Sequence, residues 1–192
     1  MRGMTAAPDE GNRDRILAAA RGQFAARGFG GTTMRAIAAE AGVDVALLAH
    51  YFGNKDGLFA QAIAFPAPPA TILAGVFAGP RDEQAEQLTR RYLGLWEDPS
   101  TALQMQVLTR SAMADETAAA RLREIVGGAM ADERVAVALE GRRAGFVTAM
   151  AHLVGVAVAR HLARVPILST MDFEAVVART TPAVRLHLET PD

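Results

Sequence analysis

The chain has 192 residues, a formal net charge of −1 and no cysteine. That length suits one domain or a small module joined to a larger one, and a composition 51% hydrophobic and 21% charged is globular rather than disordered. The missing cysteines exclude a disulfide scaffold, a thiolate zinc site and a cysteine nucleophile. The four histidines (His50, His152, His161, His187) include no pair three or four apart, so no helical His-pair metal site is written here.

The charge is unevenly spread. Residues 13–65 hold six basic side chains (Arg13, Arg15, Arg21, Arg27, Arg35, Lys55) against four acidic ones (Asp14, Glu40, Asp44, Asp56), while residues 66–192 hold 13 basic and 15 acidic. Lys55 is the only lysine. Residues 1–10 lack the apolar stretch of a signal peptide, and residues 1–11 read as a disordered leader. Two uncharged stretches invite a membrane reading. Residues 57–80 are broken by Pro66, Pro68 and Pro69. Residues 144–159 reach only ~24 Å as a helix, short of a ~30 Å hydrocarbon core. A cytoplasmic protein with no membrane partner is expected.

In chain order, helical signals dominate. Ile16, Ala20 and Phe24 recur every four residues with Leu17 beside them, predicting an amphipathic helix over residues 12–27 that Gly28 ends. Thr33 caps a short helix over 34–41, Gly42 turns the chain, Asp44 caps 45–52, and Asn54 caps 55–64. After Pro66-Ala67-Pro68-Pro69 come helices over 70–78, 81–97 and 102–114, the last capped by Ser100 or Thr101. Asp115 opens another that breaks near Gly127-Gly128 and resumes to 139. Residues 141–164 form the longest and most apolar helix, stopped by Pro166. Ser169 or Thr170 starts a final one over 171–187 that Pro182 kinks or divides.

Three short helices in succession, two joined by a tight glycine turn, make a helix-turn-helix unit, whose second element enters the major groove of DNA while the first crosses the backbone. The particular residues go further. Ile16-Leu17-Ala18-Ala19-Ala20, Phe24, Gly28-Phe29, Thr33, Ile37-Ala38, Ala41-Gly42-Val43, His50-Tyr51-Phe52, Asn54-Lys55 and Leu58-Phe59 closely resemble the DNA-binding domain of the TetR family of transcriptional repressors. The resemblance implies an all-α chain: a helix-turn-helix domain over 12–65, and a larger helical ligand-binding and dimerisation domain over 66–192.

Residue chemistry assigns roles within this frame. Thr33 caps a helix whose N-terminus can receive a phosphate, and Arg35 in its first turn can reach a phosphate or read guanine. Val45, Ala46 and Leu47 lie on the recognition helix. His50 can donate to a phosphate or base, the Tyr51 hydroxyl can reach a phosphate, and Lys55 can clamp another. Arg35, His50 and Tyr51 each have a plainer reading as surface or core residues. The sequence departs from the family pattern between Val45 and Ala49, which carry no polar side chain, so readout there falls to thymine methyls and DNA shape.

The C-terminal part has no motif of similar strength. Gly145, Thr148, Ala149, His152, Gly155 and Ala159 form a small-residue face suited to a homodimer seam or to packing within one subunit. Phe77, Tyr92, Trp96, Met105, Leu108, Met113, Phe146 and Met150 are candidate pocket residues, adaptable enough for an apolar or amphipathic effector; Glu97, Arg110 and His152 are possible polar anchors. No cofactor and no metal are expected. Asp82-Glu83 and Asp132-Glu133 read as solvated surface, and no nucleophile motif or phosphate loop points to an enzyme. The expected function is a dimeric repressor on a palindromic operator, released by a small molecule. An activator on the same fold and a helical protein-interaction module remain alternatives.

Overall fold

A computed structural model describes residues 8–192, which contain helices and no strand. Most of the expected leader, residues 1–7, lies outside the described residues. Its end departs from expectation: α1 (Pro8–Gly31) already begins at Pro8, a residue favoured in the first turn of a helix. The chain gathers into two compact units, one comprising residues up to 64 with 103–123, the other 65–102 with 124–192.

In the first unit, α1 is followed by α2 (Met34–Ala41), α3 (Val45–Phe52) and α4 (Lys55–Ala62). The helical run of α1 is interrupted at Gly28, whose φ of 67° and ψ of 178° turn the chain where the sequence placed the stop. Past that kink, Thr32 is buried and its hydroxyl donates to Gly28 O at 2.7 Å. Ile16, Phe24, Ile37, Leu48 and Leu58 form the fully buried core. The rings of Phe24, Phe29 and Phe59 meet at centroid distances of 5.0 to 6.0 Å, the edge-to-face and offset contacts that aromatic quadrupoles favour. The caps are the expected ones: Thr33 Oγ1 accepts from Ala36 N, Asp44 Oδ1 from Ala46 N and Asn54 Oδ1 from Gly57 N. This unit also takes α7 (Ala102–Ala114) from Leu103 onward and the start of α8 (Glu116–Ala131), with Arg110 donating to Ala25 O at 3.4 Å.

The second unit is built on α6 (Arg81–Glu97), α10 (Arg143–Ala157) and α12 (Phe173–Glu189), which pack against one another. Beside them lie α5 (Pro69–Phe77) and α9 (Glu133–Ala138). Leu88, Leu93, Trp96, Val135, Leu139, Phe146, Leu153, Val176 and Val184 fill the core.

Several expected boundaries move. α8 runs unbroken through Gly127 and Gly128, since a glycine inside a helix costs only about 1 kcal/mol; the break comes at Asp132, which caps α9. Pro166 does not merely stop a helix. It opens the short α11 (Pro166–Thr170), and Asp172, not Ser169 or Thr170, caps α12. Pro182 lies inside α12 without dividing it. Thr101 does not cap α7; its hydroxyl donates back to Leu95 O at 2.7 Å. The apolar helix is also longer than its uncharged stretch. α10 continues into a π-helical turn (Val158–Leu162), so Arg143–Leu162 spans 20 residues, long and apolar enough by length and composition to cross a membrane.

Candidate nucleic-acid interface

The helix-turn-helix geometry follows from a few local choices. Gly42 ends α2 in the left-handed region (φ 66°), and its N–H and that of Val43 close the α2 carbonyls. Asp44 then restarts the chain as α3. Leu48 and Phe52, four residues apart, are the buried side of α3; Val45, Ala46, Ala49 and His50 are its exposed side, and Leu47 and Tyr51 flank it half-buried. The outward face is therefore mostly methyl groups. His50 is its one exposed polar side chain, with a ring centroid 5.7 Å from that of Tyr51.

Thr33 and Arg35 are exposed at the start of α2, where backbone N–H groups and the helix dipole favour an anion. Arg35 and Arg27 make no hydrogen bond or ion pair among the described residues and remain available to phosphates. Other arginines of α1 are engaged: Arg13 donates to Gln61, Arg15 to Asn12 and Arg21 to Ala62 O. Lys55 is not the free point charge expected. Its ammonium donates to Phe29 O at 3.0 Å and Thr32 O at 3.3 Å and lies 4.2 Å from the Phe29 ring centroid, so one N–H is left for a phosphate. The amine ties the start of α4 to the end of α1, a link that the sequence, with its one lysine, did not disclose.

Comparison with known proteins fits this geometry. Residues 16–62 match the family described as bacterial regulatory proteins, tetR family, and residues 82–188 match the tetracyclin repressor-like C-terminal domain. The chain belongs to the TetR family. A TetR-family regulator from Streptomyces coelicolor A3 is 30% identical with a TM-score of 0.60, covering 98% of this chain and 100% of its own. The haemolysin II transcriptional regulator HlyIIR shares the fold at 19% identity and a TM-score of 0.56, over 91% of this chain and 97% of its own. No curated protein sequence matches the chain. It is a TetR-family transcriptional regulator with a helix-turn-helix DNA-binding unit.

The residues expected to line a pocket fall on both compact units. Met105, Leu108 and Met113 sit on α7 in the first unit, the first two buried and Met113 65% exposed. In the second unit, Phe77 and Phe146 are buried and meet edge to face at 5.8 Å. Trp96 is buried and stacks on His161 at 5.4 Å, its Nε1 and the His161 Nε2 both lacking a hydrogen-bond partner. Burial holds the His161 pKa below its ordinary value, with Glu97 opposing and Arg160 adding to the shift. Burial pushes the Tyr92 hydroxyl up to about 12, against a smaller opposing effect of Trp96. Tyr92 and Met150 are part-buried in the same unit. The expected anchors Glu97, Arg110 and His152 are all exposed. The buried charge is Arg142, a residue with no sequence signal beyond its place before a helix.

The expected dimer face also splits. Gly145 and Ala149 face inward: a Cβ on Gly145 would lie 2.1 Å from His187 O of α12, and Ala149 is fully buried. These two small residues permit close helix packing within the subunit. Thr148, His152 and Gly155 are exposed and Ala159 is part-exposed.

Proposed function

We propose that the chain is a dimeric repressor that reads a palindromic operator and leaves it when a small organic molecule occupies the C-terminal unit. The observation carrying this reading is the outward face of α3 beside the start of α2, where the exposed Arg35 makes no hydrogen bond or ion pair among the described residues. Phosphate contacts from Thr33, Arg35, Tyr51 and the remaining Lys55 donor set the register. His50 and the methyls of Val45, Ala46 and Leu47 meet base edges. With so few polar groups on α3, DNA shape supplies part of the specificity.

Dimerisation uses the outer faces of α10 and α12. Only 28% of the apolar window of Arg143–Leu162 is buried in the subunit, Val147 is 50% exposed and Leu186 67% exposed. An unpartnered apolar face of this kind in a regulator points to a second copy. Effector contact falls to Phe77, Tyr92, Trp96, Phe146 and Met150, and the protein works in the cytoplasm. An effector preferring one spacing of the two recognition helices shifts operator affinity by no more than its preference between the two states.

The test is selection of sites from a random duplex pool, followed by titration at several salt concentrations. A palindrome whose log affinity falls steeply with log salt supports the reading. Arg35→Ala then weakens binding about 10- to 100-fold. Absence of enrichment, with weak binding at low salt, would point instead to a protein partner for the apolar α3 face.

A further inference from the structure

We propose that Arg142 is the anion-recognising group of the effector site, and that the effector is a small organic acid: an apolar body ending in one carboxylate. The inference rests on the reading of the C-terminal unit as effector-binding. Arg142 is 7% exposed, between α9 and α10. A guanidinium carries five N–H donors. Here Nε donates to Ala138 O at 2.9 Å and Nη2 to Gln84 Oε1 at 3.1 Å, which leaves three without an acceptor. No carboxylate lies within ion-pair distance of it among the described residues. The charged form is correspondingly disfavoured, by burial first and then by the like charge of Arg81.

A buried cation is costly unless something compensates it. Two features offset part of that cost. Ala138 O belongs to the C-terminal end of α9, where a cation is favoured, and the guanidinium carbon lies 5.3 Å from the Phe77 ring centroid. Neither uses the remaining donors. The side chain is also held in place from behind, because the amide nitrogen of buried Gln84 donates to Phe77 O and Gly79 O, turning its oxygen to Arg142. A fixed, half-used planar fork suits the two oxygens of a carboxylate. Phe77 and its edge-to-face partner Phe146 supply apolar surface for the rest of such a molecule. Arg142 is the only buried arginine among the described residues, and its like-charged neighbour Arg81 is exposed, so the site suits one negative charge better than the two of a phosphate monoester.

The test is calorimetric titration of the full chain with octanoate, decanoate and phenylacetate, each against its primary amide. Wild type is compared with Arg142→Gln and Arg142→Lys. The expected result is saturable binding of at least one acid, about tenfold or more tighter than its amide. That preference disappears in Arg142→Gln and is reduced but retained in Arg142→Lys, which keeps the charge without the fork. The lysine variant and the wild-type acid–amide pairs decide the matter should the glutamine variant fail to fold. No saturable binding of any acid, equal binding of acid and amide, or a preference that survives in Arg142→Gln overturns the proposal. Operator affinity is measured separately by fluorescence anisotropy. An acid that binds through Arg142 without loosening the operator leaves the site standing and removes the ligand-release reading. Release by an uncharged compound, indifferent to Arg142, does the reverse.

Discussion

Gly57 shows how one position can be fixed by its neighbours. A Cβ there would lie 2.2 Å from Phe52 O, far inside contact distance, and the obstacle is backbone that cannot swing away. Gly57→Ala is therefore expected to destabilise the DNA-binding unit by about 1–3 kcal/mol, the range for forced overpacking, measured as a lowered urea midpoint. Tyr92 makes a prediction of a different kind. Burial raises its hydroxyl from 10.0 to about 12, so between those values the unfolded chain releases a proton that the folded chain retains. Stability contributed by the neutral hydroxyl is full below pH 10 and is lost as pH rises towards 12. Denaturant titrations on either side of pH 10 should show that decline, and Tyr92→Phe should flatten it.

At the scale of elements, helix ends carry much of the definition. Local caps at Thr33, Asp44, Asn54, Asp115, Asp132 and Asp172 each sit beside the helix they start; the first four were readable from the sequence for that reason, whereas the sequence placed the starts that Asp132 and Asp172 cap elsewhere. α10 is the exception. Its first N–H groups, those of Arg143 and Ala144, donate to the Asp192 carboxylate at 2.9 and 2.8 Å, and Asp192 N donates in turn to Gly141 O. No window along the sequence connects residues so far apart. Asp192→Ala should lower stability by about 0.5–2 kcal/mol, read as a fall in thermal midpoint, while Asp192→Asn recovers part of the loss because its oxygen still accepts. α3 shows the converse case: its inward Leu48 and Phe52 follow helical spacing, and its apolar exterior was already evident between Val45 and Ala49.

For the whole molecule, the proposed dimer gives the sharpest prediction. Leu186, 67% exposed on α12, would be buried against a second copy. Leu186→Glu places a charge in that seam while leaving the subunit core untouched. The variant should sediment as a monomer with an unchanged circular-dichroism spectrum and lose operator affinity by about 100-fold or more, since both half-sites must be held together. A dimer of unaltered affinity in that variant would exclude this face.

Sequence alone determined the all-α class, the order of the short N-terminal helices, their caps, and membership signals dense between Ile16 and Phe59, because periodicity, caps and turn glycines act over a few residues. Tertiary structure decided the rest. It turned Gly145 and Ala149 inward and left Met113 exposed; it gave Lys55 two carbonyl acceptors across the chain and buried Arg142 with no acidic side chain paired to it among the described residues. Each of these depends on which distant segment arrives opposite a side chain. A helical pattern states that a residue lies on a face, but the partner of that face, and so its burial and its charge balance, is set only when the helices pack.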